Sequence, residues 1–176
     1  MTVSNIDRLI YNAAIKNGYT PTAALFVVAQ ARLETADYTS NVFLNNNNLF
    51  GMKFIGQKLA KRGTLAPPSE RTANGKVDSD YYAKYNTITD SVDDLLGRLY
   101  NITRNGITPD QLKNATDSLD FAKKLKQRSY YGSSVFSYNS GLIAKLKKID
   151  LTTLKDNSLI YLIPLVFAGT YLLLKK

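Results

Sequence analysis

The chain contains no cysteine and no histidine. Without cysteine there are no disulfides, no thiolate metal sites and no thiol nucleophile, while the redox compartment stays open. Without histidine there is no serine–histidine or cysteine–histidine catalysis and no HExxH-type zinc site. Proton transfer, if the chain is an enzyme, then falls to carboxylates, tyrosine or lysine, and neither a metal nor a cofactor is expected. Glutamate is scarce too: of 14 acidic residues only Glu34 and Glu70 are glutamate, the rest aspartate. The segment Ser158–Leu174 has no charge at all.

What is present fits one globular domain with an appendage. A length of 176 residues supports a sizeable core, and 44% hydrophobic with 21% charged residues excludes wholesale disorder. The net charge of +9 points to an anionic polymer as partner: nucleic acid, anionic membrane or bacterial cell wall. Charge alone does not choose among them. The one dense basic run, Lys123-Lys124-Leu125-Lys126-Gln127-Arg128, also reads as the solvated face of a helix, so no nucleic acid is expected.

The N-terminus reads as a helix and not as a signal peptide, because Ile6, Leu9, Ile10, Ala13 and Ala14 recur at helical spacing. Asn17-Gly18 stops it. Thr20-Pro21 supplies a cap and a first helical residue for a second helix to about Ala36. Residues 41–57 read as irregular, and 54–86 as loops with a short hairpin. Helical pattern returns at Ser91, with Val92, Leu95, Leu96, Leu99 and Tyr100 on one stripe. Thr108-Pro109 begins another helix. Leu119, Phe121, Ala122 and Leu125 mark the next, and Leu142, Ile143, Leu146 and Ile149 the last amphipathic one. There is no internal repeat.

After Lys155 the composition changes abruptly. Ser158–Leu174 is close to the lower limit for a membrane-spanning helix, about 17 residues. Tyr161 and Tyr171 lie near its ends and lysines flank both sides, as interfacial anchors do. The reading is a domain over 1–150, a linker over 151–157 and a single membrane anchor over 158–174. The alternative is a buried C-terminal helix. Lysines on both sides leave the orientation open.

Glu34 closes a helix whose run Ala23–Ala29 is built for burial. A carboxylate at that end meets the negative pole of the helix, at a cost of about 0.3–1 kcal/mol. Against an apolar surface its pKa rises by desolvation, and it becomes a usable general acid near neutral pH. Taken alone, the segment favours a solvated glutamate at a helix end.

The neighbouring residues decide more. Ala29-Gln30-Ala31-Arg32-Leu33-Glu34, followed after a short loop by Asn47-Asn48-Leu49-Phe50-Gly51-Met52-Lys53, resembles the motif of the glycoside hydrolase family 73 glucosaminidases, a branch of the lysozyme superfamily. "YYAKYNTITDSVDDLLGRL" resembles that family's aromatic strand and a following helix opened by an Asp-Ser cap. "FAKKLKQRSYYGSSVFSYNSGLI" resembles its later helix and tyrosine-containing loop. The likeness covers about residues 5–149 and stops before the apolar tail.

The resemblance implies a mainly α, α+β lysozyme-like fold: a helical lobe, a small β-hairpin lobe and a glycan cleft between, here with a C-terminal hydrophobic helix added. It implies Glu34 as general acid and a second carboxylate on the β lobe, with Glu70 first and Asp78 or Asp80 behind it. Tyr130 is the first choice for a tyrosine near the cleaved bond, and Tyr131 the second. The family often shows Gly-Tyr-Ala-Thr-Asp there, whereas this chain has Ser129-Tyr130-Tyr131-Gly132-Ser133. Gln30, Asn48, Phe50, Tyr82, Tyr85 and Tyr131 are carried as substrate contacts. Phe50 by itself reads as core, and one of Tyr82 and Tyr85 suffices for the cleft.

Glycoside cleavage needs carboxylates and no metal, histidine or cysteine. The expected partner is therefore bacterial peptidoglycan, cut at a β-1,4 bond. Glucosaminidase is favoured over muramidase or lytic transglycosylase. The absent signal peptide and the apolar tail fit a virion protein of a membrane-containing bacteriophage, or else a tail-anchored bacterial autolysin. Two other classes remain: a glycan-binding module without turnover, and a binder of nucleic acid or anionic lipid.

Overall fold

In this computed structural model the structure describes residues 1–67 and 80–154. Among these residues, each of the seven α-helices opens on a serine, threonine or aspartate whose side chain accepts a backbone N–H, which satisfies a donor that a helix start leaves free. The helices and their caps are α1 (Val3–Lys16, Thr2), α2 (Pro21–Glu34, Thr20), α3 (Asn41–Asn46, Ser40) and α4 (Ile88–Asp93, Thr87). Then come α5 (Pro109–Lys113, Thr108), α6 (Ser118–Gln127, Asp117) and α7 (Val135–Leu146, Ser134). A π-helical turn, Asp94–Leu99, continues α4.

α2 is the central element. All ten residues Ala23–Arg32 are buried, so the helix has no polar stripe and needs neighbours on every side. α1 and α7 lie along it, and α5 and α6 also touch it. Phe26 meets Phe121 of α6 at 5.7 Å between ring centres.

The β lobe is an antiparallel pair, β1 (Ala60–Leu65) and β2 (Tyr81–Tyr85). Ala60 faces Tyr85, Lys61 faces Lys84 and Arg62 faces Ala83. An irregularity follows before Leu65 meets Tyr81. Gly63 lies there because a Cβ would come within 2.8 Å of the Tyr82 carbonyl oxygen. Asn46 fixes the pair to α3: its amide donates to Thr64 Oγ1 at 2.7 Å, and its carbonyl accepts from Thr64 N at 3.1 Å.

The mainly helical architecture with a small antiparallel sheet matches the expectation. Three local readings change. Residues 41–57 are not irregular throughout, because Ser40 caps the short helix α3. The helix expected at Ser91 begins at Ile88, where Thr87 and Asp90 form a reciprocal capping box. The cap is thus Thr87, not an Asp-Ser pair, and Ser91 is buried inside the helix with its hydroxyl accepting from Leu49 N at 3.1 Å. Among the described residues no helix is long and apolar enough to cross a membrane. The run Ser158–Leu174 lies outside them, as do residues 155–157 of the linker.

Candidate active site

Glu34 is the last residue of α2. The helix holds it between core and surface. Its Oε1 accepts a hydrogen bond from the Tyr138 hydroxyl on α7 at 2.9 Å. Part of the residue stays open to solvent, yet protein encloses the carboxyl closely enough for desolvation to dominate. Desolvation raises its pKa, and the Tyr138 bond, which favours the charged form, opposes this without cancelling it. The outcome is a carboxyl that keeps its proton to higher pH than usual and still reaches solvent.

Tyr138 is itself held. Its ring stacks on Tyr131 at 3.8 Å between centres, 5° from parallel. The Tyr131 hydroxyl donates to the Ala122 carbonyl at 2.9 Å. The Lys126 ammonium donates to the carbonyls of Gly132 and Ser133, both at 2.8 Å, and so pins the loop that carries Tyr131.

On the other side stand Tyr130, Tyr100 and Gln30. Tyr130 donates to the Phe50 carbonyl at 3.1 Å and meets Tyr100 edge-on at 5.8 Å. Gln30 Nε2 donates to the Tyr100 hydroxyl at 2.7 Å, while its carbonyl oxygen is buried without a partner. Burial, then the field of the Glu34 carboxylate, drives the Tyr130 hydroxyl pKa well up, so it remains a protonated donor.

Behind Glu34 the chain turns sharply. Ala36, Asp37 and Tyr38 have φ of 51°, 58° and 68°, three successive left-handed residues. Arg32 Nε donates to Asp7 Oδ1 at 3.0 Å, and the Tyr38 hydroxyl donates to the same oxygen at 2.6 Å. Lys145 and Lys148 of the α7 end reach Asp37 Oδ2 at 2.8 and 2.9 Å.

The sequence-predicted residues divide. Glu34, Tyr130, Tyr131, Gln30 and Phe50 gather around one site. Gln30 and Phe50 are buried in its wall rather than exposed to a ligand. Asn48 is fully buried: its amide donates to the Met52 and Ala83 carbonyls at 2.8 and 3.0 Å, and its oxygen accepts from Met52 N at 3.0 Å. It holds the turn instead of contacting sugar, because every polar atom is spent internally. Tyr85 is likewise interior, donating to Asp94 Oδ2 at 2.7 Å. Tyr82 is buried under the Lys53 ammonium, 3.9 Å above its ring. Glu70 and Asp78 lie outside the described residues, and Asp80 is exposed just before β2. Tyr138 was missed. The signal was there, since Tyr138, Leu142 and Leu146 sit four residues apart on one stripe of α7.

Known proteins share this fold. The family model described as mannosyl-glycoprotein endo-beta-N-acetylglucosaminidase matches residues 10–151. Among solved structures, the catalytic domain of the autolysin Auto from Listeria monocytogenes is 22% identical, covers 87% of this chain and 85% of its own, and has a TM-score of 0.56. A peptidoglycan hydrolase mutant from Sphingomonas sp. A1 is 22% identical, with coverage of 85% and 95% and a TM-score of 0.54. A type VI secretion system effector-immunity complex from Pseudomonas protegens gives 15% identity, coverage of 83% and 89% and a TM-score of 0.57. None of the curated proteins matches. At these identities the solved structures establish the shared fold.

Proposed function

The chain belongs to the glucosaminidase family, as a glycoside hydrolase of the endo-β-N-acetylglucosaminidase type, and on that premise we propose that its substrate is the glycan strand of bacterial peptidoglycan. The observation that carries the reading is Glu34: a desolvated carboxyl at the end of a buried helix, held by Tyr138 and still open to solvent. The two cell-wall hydrolases that share the fold support it.

In this mechanism Glu34 delivers its proton to the glycosidic oxygen. Such a proton transfer contributes about 10²–10⁴ in rate. Tyr138 fixes which oxygen of Glu34 faces the bond, and returns a hydrogen bond as the carboxylate forms. Tyr130 stands beside the site as a neutral hydroxyl whose proton is held by the Phe50 carbonyl, which leaves its oxygen free to accept from the substrate. A second carboxylate from the β lobe, Glu70 with Asp78 and Asp80 as alternates, assists the charge that develops on the sugar.

The apolar segment 158–174 anchors the enzyme in a membrane, with the domain 1–150 working on the wall. A virion of a membrane-containing bacteriophage is the setting that fits both; a bacterial membrane-anchored autolysin is the second. The sequence of that segment supports this, as an uncharged run flanked by lysines. Deleting 157–176 should leave a soluble, active domain, while the full chain partitions into detergent.

Digestion of purified peptidoglycan tests the reading. Reducing ends of N-acetylglucosamine are expected. Muramic acid ends would reassign the bond, and anhydro ends would reassign the reaction. No cleavage by the folded full chain would overturn the assignment and favour a glycan-binding module.

A further inference from the structure

The helix that brings Tyr138 to Glu34 is tied down again further along. On α7 the residues Tyr138, Gly141 and Lys145 follow at steps of three and four, one stripe of the helix, and Lys148 continues it just past the helix end. Each has a fixed opposite at the end of α2. Tyr138 donates to Glu34 Oε1 at 2.9 Å. Gly141 lies against Leu33, so close that a Cβ would stand 2.9 Å from Leu33 Cδ1. Lys145 and Lys148 close on Asp37 Oδ2 at 2.8 and 2.9 Å. The hydroxyl that holds the acid is thus one end of a row of contacts, and the Asp37 ion pairs are the other.

Asp37 is held as a clamp and not as a surface charge. Besides the two lysines, Arg32 Nη1 lies 3.6 Å from its Oδ1. Desolvation works to raise its pKa, but the hydrogen bonds and charges of Lys145 and Lys148 overcome this and keep it ionised to lower pH than usual. Its backbone is left-handed, with φ of 58° and its N–H on the Arg32 carbonyl at 2.8 Å. A residue with a Cβ is strained there. The strained turn delivers this carboxylate to α7. Glycine weakens a helix interior, and at Gly141 its missing side chain is what lets α7 press on Leu33. Close packing transmits displacement, so a shift of α7 at Lys145 is felt at Tyr138.

We propose that Asp37 is a positioning residue for the reaction: by clamping the end of α7 it sets the register in which Tyr138 reaches Glu34. It acts without touching substrate. The proposal rests on the reading of Glu34 as the acid. Charge and geometry give opposite signs, which separates them. Asp37→Asn removes the charge and keeps the shape, and asparagine tolerates a left-handed backbone well. Through its field alone, losing this negative charge and freeing two ammonium groups would lower the Glu34 pKa. Through α7, it loosens the Tyr138 bond, which favours the charged form, and the Glu34 pKa rises. The other titratable groups that face Glu34 are Tyr100 and Tyr130, both kept neutral by burial.

The chain has only two glutamates, Glu34 and Glu70, so isotope labelling of glutamate gives two titrating signals by NMR, and Glu34→Gln assigns them. In the full chain Asp37→Asn should raise the Glu34 pKa, in the direction that Tyr138→Phe gives. A lowered or unmoved pKa overturns the proposal. On peptidoglycan, kcat should fall with KM unchanged, by up to about 10²-fold for a displacement of about 1 Å. An unchanged kcat, or a loss confined to KM, overturns it too. In a Tyr138→Phe background the same substitution should leave kcat where Tyr138→Phe put it, whereas losses that multiply refute the coupling. If Asp37→Asn does not fold, Lys145→Met with Lys148→Met opens the clamp from α7, and the same cycle with Tyr138→Phe decides. If the wild type cuts no peptidoglycan, the functional reading fails, and the titration still decides the clamp.

Discussion

Replacing Glu34 with glutamine should remove activity and, near neutral pH, add stability. The carboxyl is desolvated, so its folded pKa lies above the unfolded value of 4.5. Between those two pH values the unfolded chain has lost the proton and the folded chain has kept it. Stability of the wild type therefore falls as pH rises through that window, and the penalty is complete above the folded pKa. Glutamine is neutral at every pH and carries none of it. Its side-chain oxygen still accepts from Tyr138, so the 2.9 Å bond survives. Each unit of pKa elevation corresponds to about 1.4 kcal/mol. For a chain this long, 1 kcal/mol moves Tm by about 2–4 °C. Thermal melts of both proteins from pH 4 to pH 8, beside lysis of purified walls, give both readouts. The expected pattern is activity down by at least about 10², Tm raised at pH 7, and the two melting curves converging at pH 4. A Glu34→Gln protein that is less stable at pH 7, or that lyses walls at near the wild-type rate, refutes the account of Glu34 as a desolvated acid.

Tyr138→Phe removes the bond that favours the charged carboxylate, so kcat should fall and the alkaline limb of the pH–rate profile should move to higher pH; an unmoved limb would separate Tyr138 from the acid. Arg32→Met strands Asp7, which is 1% exposed, and should cost about 3–5 kcal/mol in denaturant unfolding, with much of it recovered when Asp7→Leu is added. Gly63→Ala forces β1 away from the Tyr82 carbonyl and from Asn46, for about 1–3 kcal/mol, and amide exchange at Thr64, whose N–H sits on Asn46, should speed up before the helices respond.

The helical lobe was legible because its signals are local. Thr20-Pro21 and Thr108-Pro109 each mark a helix start, and the start is where the sequence puts it. The role proposed for Glu34 rests on a neighbouring motif, since a lone carboxylate at a helix end is ambiguous. The β-lobe residues were misplaced for a physical reason. Asn48 and Tyr85 belong to an asparagine-rich and an aromatic stretch that suit a sugar cleft equally well on paper, while Phe50 lies in the core as its own sequence reading has it. Whether such a side chain faces ligand or core depends on long-range partners such as Asp94 for Tyr85 and Ala83 for Asn48. No spacing within the segment encodes those. Arg128 was hidden in the same way: read as one of a run of solvated cations, it is buried and donates to the carbonyls of Leu99, Ile102 and Ile107. Those three acceptors come from the 99–107 segment, more than 20 residues earlier.

The surroundings of Glu34 are costly in ways that converge on one property. A carboxylate at a helix C-terminus meets the negative pole of the macrodipole, which favours the protonated form. Partial burial does the same. The three left-handed residues Ala36, Asp37 and Tyr38 add strain of about 1–2 kcal/mol each. They also end α2 at once, so no further helical turn covers the carboxyl. That strained turn persists because Arg32 and Tyr38 both grip Asp7, while Lys145 and Lys148 grip Asp37 from α7, the helix that also supplies Tyr138. The ion pairs behind the site and the hydrogen bond within it therefore share one helix. A change at the α7 end of this network should reach Glu34 through Tyr138 without touching substrate. Selection for stability alone would move the carboxylate into water and relax the turn. Keeping it where it is fits the role proposed for it, to hold a proton until a glycosidic oxygen arrives.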